Sequence, residues 1–158
     1  MTMKKLFVLC LSHLSIAFIG FALGIYSLPL LMAPPAPSQD LIFEKSKGAV
    51  FQAEFQRNLK GNDWLHWGEG KLSLSQKYIA FSGELAPGPD YKLYLSPIFV
   101  EDESTFNAAK SQMLAVGEIN TFHNFIVALP DHTNLNKFNT VVVWCESFGE
   151  FIAAAKYQ

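Results

Sequence analysis

The chain has 158 residues, half of them hydrophobic and 16% charged, with a formal net charge of −2. That is the length of one domain with an accessory segment, and the composition is too apolar for a disordered or purely solvating protein. With Lys4 and Lys5 set apart, ten basic residues face fourteen acidic ones, a formal −4 with no basic stripe to neutralise phosphates, so nucleic acid is not an expected partner.

Residues 6–32, LFVLCLSHLSIAFIGFALGIYSLPLLM, contain no Asp, Glu, Lys or Arg. The run exceeds the roughly 20 residues that a helix needs to cross the hydrocarbon core, so it reads as a transmembrane signal anchor. Two lysines precede it and the first charge after it is Asp40. The positive-inside bias therefore makes residues 1–5 a cytoplasmic stub and puts the C-terminal domain on the periplasmic side of a bacterial inner membrane. A cleaved signal peptide has the same start, but its apolar region is usually 7–15 residues and an A-x-A-like site follows it, which this sequence lacks. Cys10 reads as an apolar residue of the span and His13 as a polar one tolerated near the inner interface. APPAPSQD, 33–40, is held extended by its prolines and reads as a stalk.

From 41 to 158 short alternating or apolar runs recur between Gly, Pro, Asn and Ser, the pattern of strands. AVFQAEF at 49–55 opens the series. KLSLS at 71–75 and YIAFSGEL at 78–85 follow, with Ser-Gln-Lys between them suited to a tight hairpin. YKLYLS at 91–96, HNFIVAL at 123–129, TVVVWC at 140–145 and EFIAAA at 150–155 complete it. FNAAKSQML at 106–114 is either one or two helical turns capped by Ser104 or an irregular loop. The fold class is thus all-β, a mainly antiparallel β-sandwich or barrel with at most one short helix, preceded by one N-terminal transmembrane helix. Within TVVVWC, Val141, Val143 and Cys145 share one face and Val142, Trp144 and Glu146 the other. Both faces are apolar as far as Cys145, so the strand is expected to be central and the cysteine buried.

Cys145 is the sharpest chemical candidate, because a thiolate can be a nucleophile, a redox group or a ligand, although a small buried hydrophobe is the commoner role. An outward-facing protein normally pairs its cysteines, and Cys10 lies in the membrane run. His66, His123 and His132 are weak candidates for cofactor binding beside it, since their spacing matches no metal signature and no metal site is expected. His66 stands between Trp64 and Trp67. Asp90, in APGPDYKLYLS, reads as turn chemistry with the carboxylate bonding the backbone two residues on. Glu101, Asp102 and Glu103 read as a solvated acidic face, with a calcium site as the lesser alternative. No GxSxG, Walker loop or GxGxxG is present, so a classical hydrolase or nucleotide-binding enzyme is not expected.

GPDYKLYLS at 88–96, FIVALPD at 125–131 and FNTVVVWCESFGEFIAAAKY at 138–157 together resemble the DM13 domain family over most of residues 48–157. The resemblance implies an extracellular or periplasmic β domain with a role in electron transfer centred on its cysteine, as a bare thiol or as ligand to a prosthetic group such as haem. That role falls on Cys145. The chain departs from the family in SPIFVEDESTFNAAKSQM after the GPD strand and in the final EFIAAAKY. The expected function is a membrane-anchored redox module with a redox or other periplasmic protein as partner, carrying haem or no cofactor. The alternative is a non-catalytic binding or assembly domain, with Cys145 in the core and Trp64 and Trp67 as an aromatic platform.

Overall fold

The computed structural model describes residues 2–158. Helix α1 spans Met3–Met32, 30 residues with none buried, and is long and apolar enough to cross a membrane. Length and composition of this kind fit an anchor or a signal sequence. After an extended stretch, Ser38 caps helix α2, Gln39–Ser46, its hydroxyl accepting the Leu41 N–H at 3.3 Å. The proline segment is tied to the domain at its far end. Asn124 donates to the Pro37 carbonyl at 3.1 Å and accepts from the Gln39 amide at 3.3 Å, and the Ser82 hydroxyl donates to Gln39 at 3.1 Å.

The domain consists of two four-stranded antiparallel sheets. One contains β1, Phe51–Phe55; β2, Gly68–Leu74; β3, Tyr78–Leu85; and β6, Phe125–Ala128, in the order β1-β2-β3-β6. The other contains β4, Tyr91–Ser96; β5, Leu114–Ile119; β7, Thr140–Cys145; and β8, Glu150–Lys156, in the order β5-β4-β7-β8. Alternation along the strands sends Phe55, Leu72, Phe81, Leu93, Val143 and Ile152 into the space between the sheets, all at most 1% exposed. On β2, Gly70 has φ +144, and a Cβ there would stand 2.4 Å from the Ser82 carbonyl, so only glycine permits this approach of β2 to β3.

All six residues of β7 are buried, as expected of a central strand, and the two faces meet different layers. Val141, Val143 and Cys145 join the inter-sheet core. Val142 and Trp144 join a second cluster with Tyr94, Val100, Phe106 and Phe151 on the outer side of the sheet. The cover there is helix α3, Glu103–Ala109, whose Phe106 ring stacks on Trp144 with centroids 3.8 Å apart and planes 7° apart.

Three elements differ from the sequence expectation. The helix begins at Glu103 and its cap is Asp102, not Ser104: the Asp102 carboxylate accepts the Thr105 N–H at 2.8 Å in a capping box. The acidic run is not a solvated face either, since Asp102 is 5% exposed and pairs with Lys60, and Glu103 accepts the Phe151 N–H at 3.2 Å. Strand β5 occupies residues that the helical pattern partly claimed, and α2 lies outside the elements read from the sequence.

Phe106 is fully buried, so Phe106→Ala should lower stability by about 3–5 kcal/mol in urea unfolding of the full chain. The hydrogen bond from Lys60, followed by those from Thr105, holds Asp102 down to about 2, below its ordinary 3.8. A depressed carboxylate stabilises the fold fully above its ordinary value and loses that contribution as pH falls through the folded value. The urea midpoint should therefore drop between pH 4 and 2, and Asp102→Asn should flatten that drop.

Candidate functional site

Two turns at one end of the second sheet build the surroundings of Cys145. The first, APGPD at 86–90, leads into β4. The Ala86 N–H donates to the Trp67 carbonyl and the Tyr91 hydroxyl to the Ala86 carbonyl, both at 2.9 Å. The Tyr91 ring lies so close over Gly88 that a Cβ there would come within 2.4 Å of it. The second turn joins β7 to β8, where Gly149 at φ +70 donates its N–H to the Cys145 carbonyl at 2.9 Å. Asp90 clamps the two together. Its carbonyl accepts the Glu146 N–H and its carboxylate the Ser147 hydroxyl, both at 2.9 Å. Asp90 is therefore structural, as expected, but across the fold and not two residues along.

Cys145 is 3% exposed and unpaired, with Tyr91 of β4 and Glu150 of β8 as its cross-strand neighbours. It lines a cavity of about 560 Å³. Trp64, His66, Tyr91 and Phe148 line it from the domain, and Ala22 and Tyr26 supply a wall from α1. Burial pushes the Cys145 thiol above its ordinary value; the backbone N–H groups of Phe148, Asp90 and Ser147 act in the opposite direction and do not prevail. Burial likewise raises Tyr91, with Cys145 and then Tyr26 adding to it. At neutral pH Cys145 is thus a protonated thiol, not a reactive thiolate.

Of the three histidines outside α1, only His66 lines this cavity. Its Nδ1 lies 3.1 Å from Asp63 Oδ2, and a carboxylate only accepts, so Nδ1 carries the proton and Nε2 is left for a second partner. Asp63 also accepts the Leu65 and His66 N–H groups at 2.7 Å, which fixes the loop that carries the ring. Burial would raise the Asp63 carboxyl, but these hydrogen bonds together bring it below the ordinary range. His123 pairs loosely with Glu84 at 3.7 Å and is exposed; His132 sits in a loop at φ 63. Neither lines the cavity. Among the described residues no group of three His, Cys, Asp or Glu side chains is placed to hold a metal ion.

Residues 58–157 match the family described as Electron transfer DM13. The chain belongs to the DM13 family. No match is found among curated proteins or among solved structures. The DM13 match takes in all of the second sheet, the GPD turn and Cys145, and leaves out α1, α2 and β1.

Among the residues lining the cavity of this DM13 domain, the Cys145 thiol and the His66 Nε2 are the side chains that could hold a prosthetic group, and no Lys or Arg stands among them to meet a haem's propionates. On the opposite face of β7, sequence patterning did not foresee a charged network. Lys110 lies 2.8 Å from Glu146 and within 6 Å of the Tyr94, Phe106 and Trp144 rings, and the Tyr94 hydroxyl donates to Glu146. Burial would raise the Glu146 carboxyl, but Lys110 and Tyr94 together hold it below the ordinary range. Of the two tryptophans on which the alternative binding reading rests, Trp64 is 83% exposed, whereas the Arg57 guanidinium lies over Trp67, 3.4 Å from its ring centroid.

A thiol raised by folding stabilises the fold in its protonated form, fully below its ordinary value near 9 and progressively less as pH climbs through the folded value. The urea midpoint should fall above pH 9, less steeply in Cys145→Ser. Labelling of Cys145 by an aromatic disulfide at pH 8 should be much slower in the folded chain than in urea.

Proposed function

We propose that this DM13 protein is a membrane-anchored electron-transfer module of the periplasmic face, with α1 retained as its anchor and the Cys145 cavity as its working site. The family match supports electron transfer. The observation that carries the site is that Cys145, although 3% exposed, lines a cavity large enough for a small organic group.

A buried, protonated thiol is a poor partner for direct exchange with another protein's thiols, because attack requires thiolate and access. Electrons therefore pass through a group held in the cavity, with Cys145 and His66 as the side chains that touch it. Lys4 and Lys5 before α1, and Asp40 as the first charge after it, support the outward orientation. The competing reading, a binding domain with a core cysteine, loses Trp67 as a platform and leaves the cavity without a role.

Redox titration of the full chain, purified in mild detergent from membranes with whatever it carries, tests this. A reversible redox component is expected in the wild type and should be lost or shifted in Cys145→Ser. An identical titration in both proteins, or no redox-active component in either, sinks the proposal.

A further inference from the structure

The position of the cavity along α1 narrows what it holds. At 1.5 Å per residue, about 20 residues of helix cross a hydrocarbon core of about 30 Å. Counted from Leu6, just past the lysines, the crossing ends near Ile25. Ala22, Leu23, Ile25 and Tyr26, which form the α1 wall, therefore stand at the outer lipid boundary. On the domain side, Trp64 and Phe148 line the same cavity while remaining 83% and 55% exposed. Tryptophan and tyrosine, here Trp64 and Tyr26, favour the headgroup layer, and Phe148 the apolar boundary just beneath it. The cavity thus opens where a lipid-soluble molecule can enter without crossing water.

The lining also restricts the charge of the occupant. It contains no Lys or Arg and one carboxylate, Glu150, so a phospholipid phosphate finds no counter-charge. A flat, neutral headgroup meets what is present: the aromatic rings of Trp64, Tyr91 and Phe148, and the Nε2 of His66, which with the proton held on Nδ1 by Asp63 accepts a hydrogen bond from a quinol hydroxyl, and donates to a quinone carbonyl only in the imidazolium. Its tail would leave past Ala22 and Leu23 into the bilayer.

We propose that the cavity between α1 and the Cys145 end of the sandwich binds the headgroup of a neutral isoprenoid quinone or quinol. The site rests on the electron-transfer reading for its purpose but not for its test, since binding is measured with no electron moving. Full-length protein in phosphatidylcholine nanodiscs is titrated with a benzoquinone carrying a two-unit isoprenoid tail and, separately under argon, with the corresponding quinol, and tryptophan fluorescence is followed. Saturable quenching at one quinone per chain is expected. His66→Leu should raise the half-saturation concentration of the quinol about tenfold, the loss of one hydrogen bond. Ala22→Trp, which fills the α1 wall from the lipid side, should raise it as well. Both variants are checked for native circular dichroism. Linear, non-saturating quenching would mean that phospholipid chains hold the cavity and overturns the inference; so does an unchanged half-saturation in both variants. Saturable binding that persists in Cys145→Ser supports the quinone site whether or not the redox titration responds to that variant. A redox response without quinone binding overturns the quinone alone.

Discussion

A strand buried on both faces needs a hydrogen-bonded neighbour on each edge and an apolar layer on each side, because an unpaired backbone group or an uncovered valine would cost free energy at every position. β7 is such a strand. β4 and β8 take its edges, the β1-β2-β3-β6 sheet covers one face, and α3 with Phe106 covers the other. Once those four demands are met, the end of β7 has little freedom left. Asp90 binds the turn after it to the turn before β4, so the backbone around Cys145 is held from both sides. The outward stretch between β4 and β5, which looks like an insertion, is the outer cover without which Val142 and Trp144 would face water.

The same two-residue period that buries β7 separates two chemical environments by one strand thickness. On the α3 side a lysine, a carboxylate and a phenol neutralise one another over a stack of aromatic rings. On the other side of the sheet the thiol faces an apolar cavity with no cation. Charge is thus concentrated where it is matched, while the cavity is lined by a single carboxylate, Glu150, and by no Lys or Arg. Trp144 and Cys145 are adjacent in sequence and belong to these different surroundings.

Strands with continuous apolar character and firm punctuation were legible at residue resolution: 91–96 between Asp90 and Pro97, and 140–145 after Asn139. β5 was not, because LAVGEI contains a glycine and an edge strand leaves every other residue partly exposed, so it carries no clean alternation. α2 is two turns long and docks by a few side chains, too short a window for helical periodicity to emerge. Cys145 as the candidate thiol and the GPD turn were readable from residue types. The cavity was not. Its lining comes from α1, the loop that carries His66, the APGPD turn and the end of β7, segments distant in sequence whose meeting is a tertiary fact. Nothing in their spacing distinguishes His66 from His123 or His132.

One wall of that cavity belongs to the helix and the rest to the sandwich. Any molecule seated there touches both, and so, with α1 as the anchor proposed above, would bind more tightly when the domain rests against the helix than when the two are apart. Coupling of this kind is reciprocal: the occupant would hold the sandwich against the helix to the same extent that contact with the helix raises its affinity. The domain's posture over the membrane would then report whether the cavity is filled, which makes the tether a reader of the site as well as its support.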